Sequence, residues 1–300
     1  MQIDLPRRLN RDTMYSLLQK VITSNREPID NEITLNFQTL SVFIEPCGVT
    51  ILSNLIHWLE NKGTDVYILP GQTDGWRDTP TKFLDDSMFF QEHLGEKLSE
   101  HAKVRGTTLP LKQVSAENPT TWLMNIFTPW LSKQLDVPVS QLSTIQVCME
   151  EILNNIRDHA DKKTGCIFAQ YIPGNNEVLI SISDFGVGIP YNVQKKYPSL
   201  TENEAIRKAV ERGFSTRSRP HNRGFGLDNL IYNVVMNGKG RVHIHSLNGI
   251  LSCIYGNNEI QYKQRDSFGF YPGTLIELVF KTDAPEIFDV EEEDFSWEDW

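Results

Sequence analysis

The run Val178–Gly188, VLISISDFGVG, constrains the fold more than any other stretch of the chain. A period of two places Val178, Ile180, Ile182 and Asp184 on one face of a strand. That apolar face ends in a carboxylate, and Gly186 and Gly188 follow at once. Such a strand needs a core against its Val-Ile face and delivers one strong acceptor to the rim of that core. Either the aspartate closes a tight turn, or it accepts hydrogen bonds from a flat polar edge that the glycines allow to approach.

A helix with a polar stripe precedes this strand. In IQVCMEEILNNIRDHA, Ile145, Cys148, Ile152 and Ile156 mark an apolar face, while Glu151, Asn155 and His159 recur every four residues. At 100° per residue, Asn155 lies about 60° and His159 about 20° from a face centred on Ile152. Polar groups aimed at a core need partners. Either they satisfy one another or a nearby backbone, or this face lines a polar pocket in which Glu151 presents a carboxylate beside a metal-held ligand.

A second glycine pair, Gly224 and Gly226 in NRGFGLDNL, opens another helix. Free N–H groups at a helix start with no side-chain bulk suit a phosphate. Arg212, Arg217, Arg219 and Arg223 lie just upstream and suit the same charge. A solvated basic loop has the same composition.

The first half of the chain alternates helix and strand. Residues 11–24 have helical spacing, ITLNF and SVFI are short strands, GVTILSNLIHWLENKG is a helix closed by Gly63, and DVYIL is a strand. This order predicts an α/β layer. Glycine, prolines and polar residues gather at 105–118, where a boundary is expected. Beyond it, helices are expected at 119–134 and 141–160, and strands at 165–172 and 177–184. A polar connection of more than 30 residues follows, with a helix near 202–212, and connections that long are usually functional lids or disordered. A helix from Phe225 to Met236 and the strands GRVHIHS, LSCIYG and GTLIELVF complete an α+β sandwich, with helices on one side of a largely antiparallel sheet.

Of the net charge of −10, nine negative charges lie in residues 283–300, which hold no Lys or Arg, so the body carries about −1. The tail is expected to be disordered, either a solvated end or, through Phe288, Phe295, Trp297 and Trp300, a docking peptide. No basic stripe suggests a nucleic-acid partner. No run approaches the roughly 20 apolar residues of a membrane span. Four scattered cysteines, Cys47, Cys148, Cys166 and Cys253, and an N-terminus without an apolar run lead to the expectation of a cytoplasmic protein with reduced thiols.

The order E-x-x-x-N on a helix, D-x-G-x-G after a strand, a basic connection, G-x-G-L opening a helix and a Gly-Thr-started last strand resembles the Bergerat ATP-binding fold of the GHKL superfamily. That superfamily includes gyrase, histidine kinases, the ninety-kilodalton heat-shock chaperones, mismatch-repair ATPases and anti-sigma-factor serine kinases. The resemblance covers about residues 119–282, and it implies an ATP or ADP site with Mg²⁺. Asn155 would coordinate Mg²⁺, and Glu151 would be the general base. Asp184 would bind the adenine amino group, with Gly186 and Gly188 shaping that wall, and Thr274 would reach the adenine edge. Residues 189–223 would form the ATP lid, carrying Arg217, and Gly224, Gly226 and Leu227 would hold the phosphates. Phe185 stands where the family usually has a small or polar residue. The letters Asp-Phe-Gly also occur in protein kinases, but the Gly-rich loop, V-A-I-K strand and H-R-D loop of those enzymes are missing.

Residues Ile33–Leu69 resemble a STAS domain, the fold of anti-sigma-factor antagonists. Glu45-Pro46-Cys47-Gly48 stands at that family's Asp-Ser-Ser-Gly turn, so Cys47 takes the place of the serine that partner kinases phosphorylate. Together the resemblances imply a STAS-like domain over 1–110, a GHKL domain over 111–282 and an acidic tail over 283–300. They imply a regulatory protein with a protein partner, STAS or sigma-factor-like, and are compatible with a homodimer. Two activities follow from them: a Mg-dependent ATPase or Ser/Thr kinase of the partner-switching type, or a nucleotide-operated binding switch with little turnover.

Overall fold

The computed structural model describes residues 1–73, 78–114, 119–214 and 226–283, and within these the backbone alone for 159–163. Arg217, Arg219, Arg223, Gly224 and the acidic run from 284 onward lie outside the described residues.

The chain opens with β1 (Gln2–Asp4), β2 (Arg8–Leu9) and α1 (Met14–Val21). Next come β3 (Glu32–Asn36), β4 (Phe43–Ile44), α2 (Pro46–Asn61) and β5 (Asp65–Leu69). β1, β3 and β5 form a parallel sheet, and β2 pairs in parallel with β4. This is the expected α/β layer. Helix α2 starts at Pro46, where a missing N–H costs nothing, and Gly63 lies two residues past its end at φ 81°. Every residue of α2 from Pro46 to Leu59 is buried. A helix buried all round must be covered on both sides.

What covers its second side is the other half of the chain. After α3 (Pro80–Asp86) and α4 (Phe89–Leu94) come β6 (Thr108–Gln113), α5 (Thr120–Trp122), α6 (Thr128–Leu135) and α7 (Ser143–His159). β7 (Ala160–Ile172), β8 (Glu177–Gly186), α8 (Ile189–Gln194), α9 (Glu202–Ala209), α10 (Gly226–Ile231), β9 (Arg241–Gly256) and β10 (Glu259–Lys281) complete the order. Five strands pair antiparallel in the order β6-β7-β8-β10-β9. One face carries α7 and α10 over Val178, Ile180, Ile182, Ile276 and Leu278. The other face packs on α2. The fold is therefore α/β and α+β as expected, but with helices on both faces of the large sheet rather than one.

The alternation in β8 explains how one strand serves two cores. Its even positions, Val178 to Ile182, enter the helical core, while Ser181, Ser183 and Phe185 point to α2. Serines alternating with isoleucines look in sequence like a solvent face. Here they are buried because α2 supplies partners: Thr50 Oγ1 lies 2.9 Å from Ser181 Oγ, and Asn54 Nδ2 donates to Ser183 Oγ at 2.7 Å. Cys166 Sγ completes the seam by donating to Asn54 Oδ1 at 3.3 Å. Around this seam Phe168, Phe185, Tyr271 and Leu275 of the large sheet join the core of the N-terminal half.

Two strands lie where a linker or loop was expected. β6 occupies part of 105–118, and the expected boundary at 110 falls within it. As an edge strand with a register shift between Leu109 and Lys112, it accommodates Pro110. The first half of β10 pairs with β9 as a long hairpin from Glu259 to Asp266, whose polar sequence carries no burial pattern.

Candidate nucleotide site

Helix α7 carries Glu151 and Asn155 one turn apart, both half-buried, above the buried Ile145, Cys148, Ile152 and Ile156. The start of α10 meets it: a Cβ on Gly226 would lie 2.6 Å from Glu151 Cδ and Oε2. A side chain there would push the end of Glu151 aside, so the glycine lets the start of α10 rest directly on the carboxylate. Leu227, next in sequence, is half-buried and packs against the helical core. Asp228 follows on α10 and keeps one buried oxygen, Oδ1, without a hydrogen-bond partner among the described residues.

The second cluster is set by register. Asp184 on β8 lies directly opposite Thr274 on β10, and both are 8% exposed. Directly opposed residues share a face with Cβ atoms about 5 Å apart, so carboxylate and hydroxyl stand side by side. Gly186 N–H donates to Asp184 Oδ1 at 2.8 Å, and the Thr274 backbone N–H also donates to the carboxylate. Burial raises the Asp184 carboxyl to about 7, against the pull of these two N–H groups. Gly273 sits at φ 132°, where a Cβ would come 2.2 Å from the Asp184 carbonyl oxygen. Gly188, at φ 81°, approaches Ser246 in the same way, with a Cβ 2.8 Å from Ser246 Oγ.

Helix α7 bridges the two clusters. Ile156, adjacent to Asn155, fills the space where a Cβ on Gly165 would be, 2.2 Å from its Cγ2, and the same point lies 3.7 Å from Asp184 Cβ. The expected residues thus fall into two groups that meet at the C-terminal part of α7. Glu151, Asn155, Gly226 and Leu227 form one, and Asp184, Gly186, Gly188 and Thr274 the other. Arg217 and Gly224 lie outside the described residues, as does the side chain of His159. Ser246 was missed, since a serine in HIHSLNG carries no pattern of its own, and Gly273 was noted only as the start of the Gly-Thr strand, not for its close approach to Asp184.

Phe185 resolves differently from its neighbours. Its ring faces the side opposite Asp184 and stacks edge-on against Tyr271 with centroids 5.6 Å apart. The unusual residue after the aspartate therefore belongs to the seam with the N-terminal half and leaves the wall beside Asp184 untouched.

The amide oxygen of Asn155 is a hard ligand of the kind Mg²⁺ takes, and the Glu151 carboxylate stands one turn away on the same helix. A buried acceptor at the end of a strand suits a partner that brings it an N–H donor, such as the amino group of a heterocycle. The residues present fit an adenine nucleotide with its metal.

No protein-family profile matches the chain, and no curated protein matches it. Among solved structures, the B subunit of DNA gyrase from Myxococcus xanthus aligns at 18% identity with a TM-score of 0.24, over 40% of this chain and 31% of that one. The chain thus spans about a third of that protein's length. Likeness at this level identifies no family. No helix among the described residues is long and apolar enough to cross a membrane.

Proposed function

We propose that the five-stranded half of the chain binds ATP or ADP with Mg²⁺ and that the chain is a regulatory protein operated by that nucleotide. The observation that carries this is the Asp184–Thr274 pair: a buried carboxylate, anchored by Gly186 N–H, beside a hydroxyl at the rim of an apolar core. Asp184 would accept from the adenine amino group, and Gly188 and Gly273 let β9 and β10 pack closely around it. Asn155 would hold the metal, with the Glu151 carboxylate one turn away and Gly226 placing the start of α10 beside it. Bound Mg²⁺ neutralises phosphate charge. Calorimetry of the full chain with ATP and with ADP should show micromolar-range binding that a chelator removes. No heat with either nucleotide ends this proposal.

Turnover separates two forms of it. In the ATPase or kinase form, Glu151 acts as general base, and Glu151→Ala should retain nucleotide binding while losing roughly 10²–10⁴ in rate. In the switch form, wild-type turnover is absent with or without a protein partner. One observation favours the switch. Cys47, at the place of a STAS phosphoacceptor, is fully buried beneath β10, and Arg11 Nη1 lies 3.0 Å from Glu277 Oε2 beside it. Burial pushes the Cys47 thiol well above its ordinary range, reinforced by Glu277 and Glu45. A group so placed is neither nucleophilic nor reachable by a kinase. The N-terminal half keeps a partner-type fold with its acceptor position closed, and a STAS-like or sigma-factor-like protein would then be recognised by other surfaces.

A further inference from the structure

Ser246 is fully buried on β9, beside Thr274 of β10 and the start of α8. Its hydroxyl has one proton and two acceptor lone pairs. Three partners surround it: the Gly273 carbonyl oxygen at 2.7 Å, the Ile189 N–H at 2.9 Å and Thr274 Oγ1 at 3.0 Å. The carbonyl only accepts and the N–H only donates. The Ser246 proton therefore goes to Gly273 and one lone pair to Ile189, which leaves Ser246 only an acceptor for Thr274. Thr274 must donate its proton inward to Ser246. What its hydroxyl shows the ligand is lone pairs alone.

This polarity has a chemical consequence. At pH 8, where the Asp184 carboxyl is ionised, Asp184 and Thr274, side by side, form an edge of acceptors with no donor. A 6-aminopurine meets that edge with its amino N–H groups, whereas a 6-oxopurine offers N1–H to one acceptor and sets its 6-oxo oxygen against the other. We propose that Ser246 is a positioning residue for base choice, holding the Thr274 hydroxyl in the orientation that admits a 6-aminopurine nucleotide and rejects a 6-oxopurine one. The inference rests on the nucleotide site proposed above and adds to it the residue that sets selectivity. With Ser246 removed, the Thr274 hydroxyl turns freely and donates to the 6-oxo group.

The test compares ATP with inosine triphosphate, which differs at the 6-position and N1 only, by calorimetry on the full chain. The wild type should prefer ATP by more than tenfold. In Ser246→Ala the ATP-to-inosine-triphosphate affinity ratio should fall roughly five- to tenfold, the worth of about one hydrogen bond. A purely structural role would weaken both nucleotides equally and leave the ratio unchanged, and that result overturns the proposal. Thr274→Ser, which retains the hydroxyl, should keep the wild-type ratio. Thr274→Val should lower it, and Ser246→Ala should then have no further effect on it. If Ser246→Ala does not fold, Thr274→Val alone decides, since a wild-type ratio there means the hydroxyl is not read. A wild type that binds neither nucleotide removes the site itself, a different failure from an unchanged ratio.

Discussion

Asp184→Asn is expected to abolish adenine-nucleotide binding and, at pH 8, to make the nucleotide-free protein more stable. Both effects come from one feature: a carboxylate buried where its charge is costly and ready for an amino group. Burial raises its folded pKa to about 7, from an ordinary 3.8. Below roughly pH 4 the group is neutral in folded and unfolded chains alike, and its burial adds no penalty. Between about 4 and 7 the unfolded chain is ionised first, so stability falls as pH rises, and above 7 the full cost is present. Three pH units at about 1.36 kcal/mol each put that cost at about 4 kcal/mol. The amide removes the charge but offers one acceptor oxygen to two backbone N–H groups, which returns about 1–3 kcal/mol of penalty. A net gain on the order of 1–3 kcal/mol should appear as a higher Tm at pH 8 and vanish near pH 4. Binding should drop a hundredfold or more, because the amide substitutes a mixed donor and acceptor for a charged acceptor. Wild-type affinity should also fall about fivefold between pH 7 and pH 6, as the carboxyl takes up its proton, and the Asn variant should lack that component. A variant that is less stable at pH 8, or that binds ATP like the wild type, refutes the placement of Asp184.

The parts of this architecture visible in the sequence are those that a periodic pattern records. Val178, Ile180 and Ile182 mark the face of β8 that meets the helical core, and Ile145, Cys148, Ile152 and Ile156 mark the matching face of α7. The glycine at 226 was singled out as part of a phosphate-holding turn, and the structure sets it against the Glu151 carboxylate, while Asp184 and Thr274 prove to be direct partners in register. What the pattern concealed was the second face of the sheet. Ser181 and Ser183 look like solvent positions until Thr50 and Asn54 are seen to take their hydroxyls. Helix α2 carries a signal of the same kind, since its polar residues Thr50, Ser53, Asn54 and His57 are all buried. An apolar helix with such residues on one face must meet a polar partner, but only the tertiary structure says which strand supplies it. β6 was concealed by Gly106 and Pro110, which read as a linker and prove compatible with an edge.

That shared face predicts that the two halves of the chain are not separable. A fragment of residues 105–283 contains every strand of the large sheet and every described residue of the candidate site, and by motif boundaries alone it would be an independent unit. Without α2 it would expose Phe168, Phe185, Tyr271 and Leu275 together with the serine seam. Uncovering four large side chains at about 1.5–3 kcal/mol each forfeits roughly 6–12 kcal/mol, comparable to the whole stability of an ordinary domain. The fragment should therefore aggregate or stay unfolded, and the intact chain should unfold in a single cooperative transition by calorimetry and circular dichroism together. Saturating nucleotide should shift that single transition as a whole, by about 2.7 kcal/mol at a hundred times Kd. The physical link is short: Ser183, bonded to α2, is the residue before Asp184 on the same strand. A soluble, monomeric, folded 105–283 fragment, or two transitions of which only one responds to nucleotide, would show that the N-terminal half merely rests on the sheet.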